Sequence, residues 1–165
     1  LAPMVWQDKV YVGSDDGFVY CLRGANGAEQ WRFCAAPKDR KLLGSGKMIS
    51  QWPVRTGVLV DNGTAYFGAG IFPAEGVYMY AVGAEDGKLV WCNDTCGAAP
   101  QSRVSPQGYL LASESRLFTP LGRPKPQMGG NTLQSATVRA QFDLQRRARL
   151  APRNAQIMAV HPGDR

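Results

Sequence analysis

Histidine is nearly missing from these 165 residues: His161 stands alone. A Ser–His–Asp triad or a histidine-based metal site would rest on that one side chain, beside Pro162 in a stretch without strand pattern, so neither is expected. No run of about 18 apolar residues occurs, which excludes a helical membrane span. A phosphate-cradling loop is missing too. Gly44-Ser45-Gly46-Lys47 has the ending of one, but lacks the upstream glycine, and Met48 stands where Ser or Thr should follow the lysine. The four cysteines, Cys21, Cys34, Cys92 and Cys96, include no adjacent pair. Cys92 and Cys96, spaced C-x3-C with no second pair, make a poor zinc site. They are read as small buried thiols, with a Cys92–Cys96 bridge as the alternative. The chain opens Leu1-Ala2-Pro3, without an initiator methionine or signal-peptide pattern, and so reads as the interior of something longer.

Turn chemistry, by contrast, is plentiful. Nineteen glycines and 11 prolines call for many short elements. A hydrophobic content of 44% with 19% charged residues is globular chemistry, and the length suits one domain with a real core. The net charge of +6 is uneven. Residues 127–165 carry six arginines against Asp143 and Asp164, so +4 of it sits there. A solvated face is the usual fate of a run such as Arg146-Arg147-Arg149, and nucleic acid is not an expected partner.

Period-2 alternation predicts strands over residues 9–13, 18–22 and 29–33, joined at Asp16-Gly17 and Asn26-Gly27. The same sequence of events returns over 54–60, 64–68, 77–82 and 88–91, with a longer link at 71–76. Tyr20, Gly27 and Trp31 match Tyr80, Gly87 and Trp91 at an offset of 60, and Tyr11 and Gly13 match Tyr66 and Gly68 at 55. A third unit begins at 109–113 and 116–120, with Gly108 in the place of Gly57. Four short strands recurring every 50–60 residues are β-propeller blades. The predicted fold is therefore all-β: a partial β-propeller of about two four-stranded antiparallel blades (1–34 and 54–91) and the start of a third (108–126). Residues 35–53 are read as a basic link. Residues 127–165 are read as an irregular or weakly helical tail outside the repeat, with Leu133, Ala136, Ala140 and Leu144 on one helical face behind Asn131, or else as disordered.

Within this frame Gly27, Trp31, Gly87 and Trp91 are repeat-docking residues: each glycine reverses the chain, and each tryptophan, four residues on, packs against a neighbouring blade. Arg55 and Gln107 precede the innermost strands of the second and third units. They are the candidate polar residues near a propeller axis, where an arginine can grip a carboxylate or phosphate. Asp15, Asp16, Asp61, Glu85 and Asp86 are assigned to turn geometry.

Residues 3–126 resemble the PQQ-binding-like β-propeller repeat proteins of the quinoprotein alcohol dehydrogenase-like superfamily. The resemblance is carried by Val10-Tyr11-Val12-Gly13-Ser14-Asp15-Asp16-Gly17, Tyr20-Cys21-Leu22-Arg23, Trp31-Arg32-Phe33, residues 35–40, Trp52-Pro53-Val54 and Tyr66-Phe67. Of the docking motif A-x-D-x-x-T-G-x-x-x-W only the Gly-to-Trp end survives. Arg23 and Gly83 stand at its Asp position, Asn26 and Asp86 at its Thr. In the catalytic branch the resemblance implies a full ring, a quinone near the axis, a calcium ion, an Asp base and often adjacent cysteines. No position here matches the stacking Trp, the calcium-binding Glu/Asn set or the base, so catalytic, cofactor-binding and metal-binding residues are all expected to be absent. What the resemblance implies is a non-catalytic module, an interaction or scaffold segment of a bacterial cell-envelope protein in the periplasm. Its partners are the remaining blades and other proteins. The alternative is a fragment of a PQQ-dependent dehydrogenase that oxidises alcohols or sugars, with PQQ and calcium.

Overall fold

Short strands separated by Asx-Gly turns favour up-and-down antiparallel pairing, because each turn returns the chain beside the strand it has just left. The computed structural model, which describes residues 1–44, 46–95, 105–113 and 116–120 and the backbone of 140–143 and 157–158, is built this way. The first sheet runs β1 (Met4–Trp6), β2 (Lys9–Gly13), β3 (Phe18–Arg23), β4 (Glu29–Cys34). Strand β1 completes the blade beyond the three strands visible in the sequence. Its turn at Gln7-Asp8 holds Gln7 at φ 53° without a glycine to announce it.

Residues 35–53 are more than a link. They contain a hairpin, β5 (Lys41–Gly44) and β6 (Lys47–Ser50), with Leu42 opposite Ile49 and Leu43 opposite Met48. The second sheet is β7 (Leu59–Asp61), β8 (Thr64–Ala69), β9 (Tyr78–Gly83), β10 (Leu89–Asn93), with a single 3-10 turn at Pro73–Glu75 in its long link. The strand expected over 54–60 shrinks to β7. Upstream of it the backbone is engaged between sheets: Val54 N–H donates to Ser14 O at 3.0 Å, Gly57 N–H to Gly108 O at 2.9 Å, and Gly108 N–H to Arg55 O at 3.1 Å.

The third sheet is β11 (Leu111–Ser113), β12 (Arg116–Thr119) and β13 (Ala140–Asp143). Strand β14 (Ile157–Met158) adds to the edge of β4. Both β13 and β14 fall in the segment read as an irregular or weakly helical tail, and at these six positions the backbone is extended. Ala140 is extended rather than helical, because β12 offers an unpaired row of N–H and C=O groups that a strand satisfies and a helix cannot. The register sets Asp143 opposite Arg116. Asn131, Leu133, Ala136, Leu144, the Arg146-Arg147-Arg149 run, His161 and Cys96 lie outside the described residues.

The middle sheet is buried on both faces, which explains the near-continuous apolar runs of β8 and β9. Ala65, Phe67, Tyr80 and Val82 face the first sheet and join Tyr11, Val19, Cys21, Trp31 and Phe33 in one core. Tyr66, Met79 and Ala81 point the other way, toward Leu110 and Leu117. Phe33 meets Phe67 and Tyr80 edge-on at 5.6 and 5.3 Å, and Tyr80 Oη–H donates to Ala35 O at 3.0 Å. Trp31, 3% exposed, lies on Gly87 and donates its indole N–H to Ala84 O at 3.1 Å. A Cβ on Gly87 would come within 2.8 Å of that indole. Lys9 and Glu85 add an ion pair across the same joint.

Trp31→Ala should remove both the ring and its hydrogen bond and cost about 3–5 kcal/mol, with Trp31→Phe less severe, as measured by urea denaturation. A second expectation concerns alkaline pH. Burial pushes the Cys21 thiol up to about 11, and burial with the Asp16 hydrogen bond pushes Tyr20 up to about 12. The folded chain therefore keeps these protons to higher pH than the unfolded chain. Their contribution is whole below the ordinary thiol and phenol ranges and is lost as pH rises through them toward the folded values. The urea midpoint should hold steady to about pH 8.5 and then fall, and at that pH Cys21 should alkylate at least about tenfold more slowly than free cysteine.

Candidate functional site

The hydrogen bonds that tie 54–57 to both flanking sheets bring three loops to one end of the blades. They enclose an open cleft of about 550 Å³ lined by Val12, Gly13, Ser14 and Asp15 from the first sheet, Val54 and Arg55 from the connection, Gln107 and Gly108 from the third unit, and Leu1. Gly13 is required by close approach: a Cβ there would stand 2.6 Å from Val54 Cγ1. Thr56, 1% exposed, anchors the connection from behind by accepting Gly68 N–H at 2.8 Å on its hydroxyl.

Arg55 and Gln107, far apart in sequence, line this one cleft. Arg55 donates from Nε to Asp15 Oδ1 at 3.0 Å and from Nη2 to Oδ2 at 3.5 Å. No further hydrogen bond from the guanidinium is found among the described residues. Gln107 is exposed and donates from Nε2 to Ser105 Oγ at 3.3 Å, and Ser105 in turn donates to Ile71 O at 2.9 Å. Asp15 is the residue that turn chemistry alone does not explain. The turn uses Asp16, which accepts Phe18 N–H at 2.9 Å and Tyr20 Oη–H at 2.6 Å. The doubled carboxylate before Gly17 was the available signal: one aspartate makes the turn, and the other is left to meet a cation.

The docking residues lie elsewhere. Trp31 covers Gly87 between the first two sheets. Trp91 is half-buried beside Tyr66, at 6.2 Å, on the side of the third sheet. Gly27 is exposed, with no atom within 4 Å of a Cβ built on it. Cys21 and Cys34 are free thiols, Cys21 in the core away from the cleft.

The cleft offers a cationic fork and an amide to one side of a small molecule, with the valine side chains as wall. That donor set fits carboxylate groups. It does not by itself build a metal site: among the described residues no three His, Cys, Asp or Glu side chains converge. Among the described residues no aromatic ring lines the cleft to stack on a planar ligand.

In solved structures the same architecture is found in the quinohemoprotein alcohol dehydrogenases of Pseudomonas putida HK5 (TM-score 0.57, 19% identity, 73% of this chain and 20% of that one) and Comamonas testosteroni (TM-score 0.54, 19% identity, 75% and 21%). A europium-containing methanol dehydrogenase also shares it (TM-score 0.53, 14% identity, 74% and 26%). The chain has the fold of the quinoprotein alcohol dehydrogenase-like β-propellers. A curated relative agrees: the dehydrogenase subunit of the quinone alcohol dehydrogenase of Gluconobacter oxydans strain 621H is 30% identical over 141 residues. That match takes in 81% of this chain but 17% of the relative, so this quinoprotein-like segment spans about a sixth of the curated protein it matches. No family model matches the sequence.

Arg55 and Asp15 are 37% and 53% exposed, so solvent screens their pair and it contributes at most about 1 kcal/mol to stability. Asp15→Asn and Arg55→Met should leave the urea midpoint within that margin. A larger loss would assign the pair to the architecture rather than to ligand binding.

Proposed function

We propose that this chain supplies blades, and part of the axial wall, to a quinone-dependent dehydrogenase that oxidises alcohols. The observation that carries this reading is the meeting of Arg55 and Gln107 in one cleft of a quinoprotein-type propeller whose curated relative is a quinone alcohol dehydrogenase. In it, Arg55 and Gln107 hold the carboxylates of a PQQ-like cofactor, and Asp15 positions the Arg55 fork. When bound, such a quinone supplies a two-electron, two-proton acceptor for the alcohol. The metal ligands, the stacking ring and the catalytic base lie beyond the described residues. Cell-envelope location, in the periplasm, belongs to the same reading. The competing one, a non-catalytic scaffold with protein partners and no cofactor, shares the blades but leaves the Arg55 fork without a ligand.

The test uses the complete product of the reading frame that encodes this chain, incubated with PQQ and calcium and followed by dye reduction with ethanol and with glucose. Turnover is expected. Arg55→Met should raise the PQQ concentration for half-saturation about tenfold, the worth of one charge-assisted hydrogen bond, and a PQQ absorbance titration should show the same shift without substrate. Lack of PQQ binding and of turnover would leave the scaffold reading in place.

A further inference from the structure

The hairpin of β5 and β6 forms a small sheet of its own, apart from the blades. Its register sets Leu42 opposite Ile49 and Leu43 opposite Met48, so the two pairs fall on opposite faces. The Leu42 face is used: Ile49 is 7% exposed and lies over Gly44, where a Cβ would stand 2.6 Å from Ile49 Cδ1. The other face is bare. Leu43 is 74% exposed, the most of any large apolar side chain described, and its cross-strand neighbour Met48 is 64% exposed. A sheet with one face in water ordinarily gives that face polar residues, and this hairpin gives it an apolar pair.

Cations frame the pair. Lys38, Arg40, Lys41 and Lys47 are all exposed, and the acid among them is Asp39. Asp39 stands 3.9 Å from Lys41 with its side chain 88% exposed, too distant and too wet to neutralise it. Lys41 lies two residues before Leu43 and therefore on the same face, and Lys47 adjoins Met48. The base of the hairpin is tied down. Ser50 N–H donates to Asp15 O at 2.8 Å, Gln51 N–H to Arg40 O at 2.8 Å, and the Trp52 indole N–H to Glu75 O at 2.8 Å. The hairpin thus rises from the end of the blades that carries the cleft, beside the 71–76 link, where Phe72 is 47% exposed.

We propose that this hairpin is a contact element for an anionic lipid bilayer, with Leu43 and Met48 entering the interfacial layer and Lys38, Arg40, Lys41 and Lys47 meeting lipid phosphates. Binding at a membrane surface adds buried apolar area to attraction for anionic lipid, and the hairpin offers both within a few residues. Lysine suits that setting, because its stem lies along hydrocarbon while the ammonium stays among the headgroups. A protein partner suits the surface less. Three of the four cations are lysines, a residue depleted at protein interfaces, and no aromatic anchor joins Leu43 and Met48 on the hairpin. The inference rests on the hairpin and not on the proposed oxidation, so its test is independent of turnover.

The experiment sediments the complete encoded protein with vesicles of phosphatidylcholine and with vesicles of phosphatidylcholine mixed with phosphatidylglycerol. Binding to the mixed vesicles is expected, weakening as salt rises past about 0.1 M. Lys41→Gln combined with Lys47→Gln should weaken it at least about tenfold. Leu43→Ser combined with Met48→Ser should do the same, at least about tenfold. Val90→Ser, at an apolar position 61% exposed on β10, should leave it unchanged. All these side chains are exposed, so Tm should stay near that of the parent. Leu43→Trp reads insertion directly: its emission should shift to the blue with the mixed vesicles, a shift absent from the parent. Failure to bind the mixed vesicles, equal binding to both kinds, or a Leu43→Trp emission that does not move would overturn the proposal. So would binding that the hairpin variants leave intact, since another segment would then carry it.

Discussion

A β-sheet made of four short strands can cover one face only by leaning on a neighbour, and in this chain the neighbour is another sheet. The Trp31 indole decides how close the first two sheets come. It lies flat where Gly87 leaves no Cβ in the way, and its N–H shares the Ala84 carbonyl with the Tyr11 hydroxyl, at 3.1 and 3.0 Å. Once that distance is set, the Phe33, Phe67 and Tyr80 rings can meet edge-on within the core. Burial raises the Tyr80 and Tyr11 phenols far above their ordinary range, as expected of groups kept neutral inside a packed interface.

The same joint places the cleft. Docking of the sheets draws residues 54–57 between the first and third units, where the backbone bonds to both and cannot remain a long strand. Arg55 is therefore held at the mouth by its own backbone, with Asp15 fixing the guanidinium from the first sheet and Gln107 arriving from the third. Stability and binding are separated in space. The apolar faces lie within and between the blades, and the polar groups that could meet a small molecule stand on the loops at one end. A propeller can in this way change its axial chemistry without altering its blades.

The quinone alcohol dehydrogenase relative and the solved quinoprotein dehydrogenases agree on architecture, and the chain corresponds to a minor part of each. The described residues contribute a wall and a cationic fork. Among the described residues no aromatic ring lines the cleft and no three potential metal ligands converge.

The blades were legible from residue order alone, because period-2 alternation and Asx-Gly turns are local properties: each strand and its return are encoded within about ten residues. The offsets of 60 and 55 likewise exposed the repeat before any fold was known. Strand β1 escaped because a turn through Gln7 carries no glycine, and the hairpin at 41–50 because the adjacent apolar pairs Leu42-Leu43 and Met48-Ile49 do not alternate. Strand β13 escaped for a different reason. Its cause lies in the open edge of β12, more than twenty residues upstream, and no local pattern reports a distant hydrogen-bonding vacancy. The site divides in the same way. Arg55 and Gln107 could be suspected from their places before inner strands; the doubled carboxylate hinted at Asp15, but its partner, a guanidinium 40 residues away, could not be read from local sequence. Local periodicity determined the elements. Only the packing of sheet on sheet, which brings chain-distant loops to one end of the blades, decided which polar side chains face each other.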